Sequence, residues 1–315
     1  MLSSVTPFLV PFREHFFMYF RQVAWAVALG LLIGGVIEYY VPKEYICAVL
    51  AHSKKRTIFY AVGLGTLASA CSCGILAVSI ELYRKGASTS AVVAFLLASP
   101  WANLPLTFVL VGLFGLGKAF FIIGSAVVIA LITGMIFQIL ERHSWVERNP
   151  NTVALEKKFS IVAHLKERIF LYHLSAQQIS QDARGILKGT ISLGNMVLGW
   201  IIIGMVLAGA IGAYLPHNIL RDHLGPTFNG MLLTLLAATV IEVCSEGTAP
   251  LAFELYRQTL ALGNSFVFLM AGVVTDYTEI GLLWQNIGRR TAIFLPLITV
   301  PQVLLFGLWA NHLFK

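Results

Sequence analysis

Charge is what this sequence has least of: Asp, Glu, Lys and Arg make up 12% of its 315 residues, while 57% are hydrophobic. A soluble globular domain carries roughly 25% charged residues, so a water-facing surface over most of the chain is excluded. Cysteine is scarce too. Cys47, Cys71, Cys73 and Cys244 are too few for a disulfide framework in a chain of this length. No Gly-x-x-x-x-Gly-Lys-Ser/Thr phosphate loop is present, so any use of ATP would need a partner. The opening "MLSSVTPFLVPFREHFFMYF" lacks a basic leader and a small-residue cleavage site, and is expected to be retained rather than cut as a signal peptide. Despite a formal charge of +7, no basic and aromatic module for nucleic acid is visible.

What is there is long apolar sequence. Residues 22–40, 118–140, 193–215 and 291–309 carry almost no charge, and each is long enough to cross a hydrocarbon layer of ~30 Å as a helix. Strict alternation of polar and apolar residues is absent, which excludes a membrane β-barrel. The expected fold is an all-α polytopic membrane protein.

The chain also repeats itself. With Cys71 set on Cys244, "CSCGILAVSIELYRKGASTSAVVAFLLA" and "CSEGTAPLAFELYRQTLALGNSFVFLMA" align without a gap and share ten of 28 positions, where chance gives roughly two or three. Upstream, "GLLIGGVIEYYVP" matches "GMVLAGAIGAYLP" after a one-residue slip. The reading is two homologous repeats of about four hydrophobic segments each, eight spans in all, with broken helices at the cysteine motifs. It divides the chain into a first repeat (1–140), a polar linker (141–190) and a second repeat (191–315). Gly74 and Gly247 are the expected points where the chain leaves helical geometry, and Pro100 and Pro105 break a second segment in the first half. Paired broken segments in two repeats are the best sequence pointer to a transporter's midplane binding site. Gly30 and Gly34 make a small-xxx-small stripe, read first as close packing within the chain and second as a homodimer contact.

Residues 141–190 hold eight Lys/Arg and five Asp/Glu, the composition of a cytoplasmic loop under the positive-inside rule. Within it "FSIVAHLKERIFLYHL" spaces its apolar residues as an amphipathic surface helix. The "ELYR" copies pair Glu81 with Arg84 and Glu254 with Arg257 at helical spacing, and Tyr83 and Tyr256 fit an interfacial belt.

The repeat puts Cys71 and Cys244 in equivalent places, with Cys73 opposite Glu246, inside a shared Cys-Ser-x-Gly that adds Ser72 and Ser245. Thiolates prefer soft, thiophilic acceptors such as soft metal ions or trivalent arsenic, so Cys71, Cys73 and Cys244 are the candidate ligands. Carboxylates within apolar segments cost ~2.5–3.5 kcal/mol each at a helix centre and tend to face a cavity. Glu242 and Glu279 are therefore candidate proton carriers, and Asp276, aligned with Asn103, a candidate cargo contact.

At "CSCGILAVSIELYRKGASTSAVVAFLLASPWANLP" the sequence resembles the predicted permease family whose characterised members include organoarsenical efflux permeases. The matching features are the Cys-x-Cys-Gly at Cys71 to Gly74, the "RKGAS" turn, and the run through Ser99 and Pro100 to Asn103. The resemblance implies a multi-pass exporter of the bacterial inner membrane, without enzymatic activity or cofactor, that carries trivalent organoarsenicals or related soft toxicants on its membrane cysteines. "GVVTDYTEIG", with Asp276 and Glu279, departs from the family pattern and favours a bare metal ion as cargo. The reading from another class is a transmembrane thiol–disulfide relay through Cys71, Cys73 and Cys244. Cys71 and Cys73 are one residue apart, an awkward spacing for a relaxed disulfide.

Overall fold

In lipid an apolar chain must satisfy its own backbone groups, and helix is the local way to do so. The computed structural model describes residues 50, 55–67, 72–84, 86–150, 176–214, 222–241 and 245–314, with parts of a helical stretch between 12 and 39. The first half holds α1 (Lys55–Leu67), α2 (Ser72–Arg84), α3 (Thr89–Ala102), α4 (Leu104–Phe114) and α5 (Leu116–Arg142). After α6 (Ala176–Tyr214) come α7 (Phe228–Ile241), α8 (Ser245–Thr259), α9 (Leu262–Thr275), α10 (Tyr277–Asn286) and α11 (Arg289–Leu313). The starts of α7 to α11 fall opposite those of α1 to α5 under the same offset that sets Cys71 on Cys244.

The fold is all-α and multi-spanning. Among the described residues three helices are long and apolar enough to cross a membrane, or up to four if α3 and α4, bent by 40° at their junction, count as one span. Eight spans are therefore not what the described residues form. The reason is length: α1, α2, α7 and α8 have 13, 13, 14 and 15 residues, short of the ~20 a crossing needs.

Side-chain contacts fix the sense of these short helices. Asn264, at the start of α9, reaches Thr234 on α7, and the Thr239 and Thr275 hydroxyls meet at 2.8 Å near the ends of the same two helices. Thus α7 and α9 run side by side in one direction. The short turn from α8 into α9 makes α8 run the other way, so α7 and α8 enter and leave at one end as a re-entrant hairpin. The first half is built alike. Gly65 of α1 lies against Phe95, Ala98 and Ser99 of α3, while Ile58 and Ala94 both line Gly134. Gly86, in the left-handed region at φ 97°, closes the turn that returns α2 into α3.

The two hairpins enter from opposite ends of the bundle. Arg84, at the mouth of the first, donates to Asn286 at 3.1 Å, and Asn149, beyond the end of α5, donates to the Ala87 carbonyl at 2.7 Å. Tyr256, near the mouth of the second, receives Lys118 at 2.6 Å and packs with Phe114 at the other end of α5. Across the halves α3 packs on α9, α5 on α11, α4 on α8 and α2 on α10.

Residues 143–150 strap the first of these two faces. The Glu147 carboxylate accepts from the Arg290 and Thr291 N–H groups, both at 2.9 Å, and from the Thr291 hydroxyl at 2.8 Å, capping the start of α11. The Glu147 carbonyl takes the Thr89 hydroxyl at 2.6 Å, and Arg290 reaches back to the Ser144 carbonyl at 3.0 Å. Burial alone would raise the Glu147 carboxyl, but the hydrogen bonds from Arg290 and Thr291 hold it below the usual carboxylate range.

Several local expectations change. Gly74 and Gly247 lie in the first turns of α2 and α8, so neither glycine is itself the point of departure from helix. Pro100 sits inside α3, two residues before its end; it removes the N–H that would bond the Leu96 carbonyl, and the helix stops within the same turn. Tyr83 is buried rather than part of an interfacial belt. Glu254 and Arg257 pair at 2.9 Å with Gln258 also donating to Glu254, whereas Arg84 reaches across to Asn286. The amphipathic stretch at 159–174 lies outside the described residues, and α6 begins at Ala176, within the expected linker.

Candidate functional site at two helix breaks

Each half contains a helix interrupted at one residue. In the first, α3 ends at Ala102, Asn103 turns extended at φ −67°, ψ 155°, and α4 begins at Leu104. The Asn103 Oδ1 accepts the Leu106 N–H at 2.7 Å, and its carbonyl accepts from both the N–H and the hydroxyl of Thr107, at 2.9 and 2.7 Å. Pro105 follows within the first turn of α4, where its missing N–H costs nothing. In the second half Asp276, at φ −57°, ψ 119°, divides α9 from α10. Its Oδ1 accepts the Glu279 N–H at 3.2 Å and its carbonyl the Ile280 N–H at 3.0 Å. The aligned residues thus do the same work, a side-chain N-cap on a half-helix.

Both breaks lie deep. α3 and α9 each have 14 residues, or ~21 Å of rise, against ~40 Å for the 27 residues of α5. Asn103 and Asp276, approached from opposite faces, therefore lie near mid-depth. A break frees backbone donors and acceptors there, and irregular backbone at membrane depth is tolerated where it is buried in protein or lines a wet cavity.

Three of the nine buried polar atoms without a partner among the described residues lie beside the breaks. Ser99 Oγ and Trp101 Nε1, within four residues of Asn103, are buried and have no hydrogen-bond partner among the described residues. Glu279 is 4% exposed, and its Oε1 likewise has none. A buried carboxyl with an open oxygen can exchange a proton or take a cation. Ser99 enters the sequence reading only through the family resemblance and Trp101 not at all; as unpaired polar groups their only signal is polar atoms in an otherwise apolar run.

The hairpins lead to the same depth. Gly65 lies against Ser99 two residues before α1 ends, and Thr239 meets Thr275 two residues before α7 ends. Ser72 and Cys73 open α2, and Ser245 and Glu246 open α8. Cys71, Glu242 and Cys244 lie outside the described residues. Among the described residues no group of three or more His, Cys, Asp and Glu could hold a metal ion. Of the sequence-predicted set, Asn103, Asp276 and Glu279 are thus the ones whose side chains are described.

The sequence model of a family described as a predicted permease, ArsP_1, matches residues 13–312. The chain is 24% identical to the protein YcgR of Bacillus subtilis over 284 residues, 89% of this chain and 90% of the relative. It is 27% identical to a putative permease of Mycobacterium tuberculosis over 252 residues, 74% of this chain and 60% of the relative. A putative two-component membrane permease complex subunit of Streptococcus mutans is 20% identical over 259 residues, 82% and 80% of the two chains. No solved structure matches.

Proposed function

The chain belongs to the ArsP_1 family of predicted permeases, and we propose that it exports a soft, thiophilic solute, a trivalent organoarsenical or a soft metal ion, through a cysteine-lined site at mid-membrane. It is a multi-pass membrane permease and not an enzyme. The observation that carries the reading is the pair of antiparallel short helices in each half, of which α1 and α7 end beside the helices that carry the breaks at Asn103 and Asp276. Short helices with ends exposed to a shared interior are how transporters build ion and solute sites.

On this reading the chain is a duplication whose halves, 1–140 and 191–315, are inverted copies joined by the linker 141–190. The equal offset of helix starts and the opposite entry of the hairpins support it. Cys71, Cys73 and Cys244 bind the cargo, with Ser72, Ser245, Glu246, Asn103 and Asp276 around it, and Glu242 and Glu279 exchange protons for it. The unpaired Glu279 oxygen supports that last role. The membrane is the bacterial inner membrane.

The test is everted vesicles from cells expressing the protein, incubated in phenylarsine oxide or Cu(I). Energy-dependent accumulation is expected, with loss in the Cys71→Ser, Cys244→Ser double variant. Undiminished accumulation in that variant would remove the thiols from the mechanism.

A further inference from the structure

The two hairpin mouths lie on opposite faces of the bundle, and those faces differ in charge. At the face that holds the mouth of α1 and α2, the helix ends and the strap carry Arg56, Arg84, Arg142, Arg148, Arg289 and Arg290. At the face that holds the mouth of α7 and α8, the corresponding residues are Lys118, Arg257 and Arg13, whose neighbour Phe12 lies against Gly209 near the end of α6. Lys and Arg near helix ends are retained on the cytoplasmic side, and it is their number, not the net charge, that sets orientation.

The cross-half contacts differ in the same direction. The Arg-rich face is closed by polar bonds, Arg84 to Asn286 and Arg290 and Thr291 to Glu147. The other face adds aromatic packing, Phe114 against Phe253 at 5.3 Å and Phe121 against Trp309 and Phe314, both at 5.4 Å, beside the bond from Lys118 to Tyr256.

We propose that the Arg-rich, strapped face is cytoplasmic, so that the first hairpin is entered from the cytoplasm and the second from outside. The proposal rests on the permease reading only for its consequence. A solute on its way out then crosses from the Arg-rich face to the opposite one.

The experiment uses the full chain with its four cysteines replaced by serine and single cysteines returned at exposed positions. Trp145→Cys, 61% exposed, marks the strapped face and Arg56→Cys the first mouth; Leu116→Cys, 63% exposed, marks the other face and Leu260→Cys, 71% exposed, the second mouth. An impermeant maleimide is expected to label Leu116→Cys and Leu260→Cys in intact cells, and Trp145→Cys and Arg56→Cys only in everted vesicles. Phe228→Cys, 52% exposed, repeats the second-mouth measurement if Leu260→Cys does not accumulate. The reverse pattern, or both mouths labelled from one side, overturns the proposal. Labelling reads orientation whether or not solute moves, so the expected pattern in a chain that fails to transport would count against the permease reading alone.

Discussion

Asn103 and Asp276 occupy the same place in the two halves, and each accepts a hydrogen bond from the backbone N–H three residues on, Leu106 at 2.7 Å and Glu279 at 3.2 Å. The amide and the carboxylate are both good N-caps, so the break is preserved while its charge is free to differ. The second break carries an acid, and a second acid one turn later.

This separates capping from chemistry at residue 103. Asn103→Ser keeps an acceptor for the Leu106 N–H without burying a charge and should lose less stability than Asn103→Leu, which should lose ~1 kcal/mol or more. Thermal unfolding in detergent reads the difference. Equal loss in both variants would mean that the side chain matters for something other than the cap.

At the second break the proposed function assigns the chemistry to Glu279. Glu279→Gln keeps the shape and removes the exchangeable proton, and Asp276→Asn keeps the cap. Transport should fall at least about tenfold in Glu279→Gln, the factor that ~1.4 kcal/mol of barrier carries, with unchanged protein in the membrane. Asp276→Asn should remain well above it. The same loss in both variants would remove Glu279 from any special role.

Much of this site was readable from residues alone. Pro105 two residues after Asn103, and the alignment of Asn103 with Asp276, locate both breaks without coordinates. The hairpins were not readable, because an apolar run of 13 to 15 residues looks the same whether it crosses part of a bilayer or turns back. The turn itself is betrayed only by contacts far apart in sequence, such as Gly65 with Ser99 and Thr239 with Thr275. Gly74 and Gly247 misled for a related reason: glycine permits departure from helix but does not require it. Glu147 was silent in sequence, since a carboxylate in a polar loop has no periodicity to reveal its partner 143 residues away.

Gly65 and Gly63 give an internally controlled test of hairpin seating. A methyl group on Gly65 would meet the Phe95 carbonyl oxygen at 2.9 Å and the Ala98 methyl at 3.1 Å, while one on Gly63 would meet nothing within 4 Å. Gly65→Ala should cost ~1–3 kcal/mol by overpacking and lower transport by displacing the hairpin. Gly63→Ala should be neutral or up to ~1 kcal/mol stabilising, the intrinsic helix preference. A stable, active Gly65→Ala protein would show that α1 can shift on α3 without consequence.

The strap supplies a pH dependence of known sign. Glu147 is held below the usual carboxylate range by Arg290 and Thr291 although burial opposes it. A depressed carboxyl stabilises the folded state fully above its unfolded value, and that contribution disappears as pH falls through the folded value. Stability in detergent should therefore decline on the acid side, with α11 losing its cap as Glu147 takes up a proton. Glu147→Gln should start lower at neutral pH, by ~0.5–2 kcal/mol for a lost cap, and should lack this part of the acid decline. Parallel curves for parent and variant from neutral pH through the acid range would mean that the carboxylate's charge contributes nothing to the cap, and that the strap is held by Thr89, Ser144 and Asn149 alone.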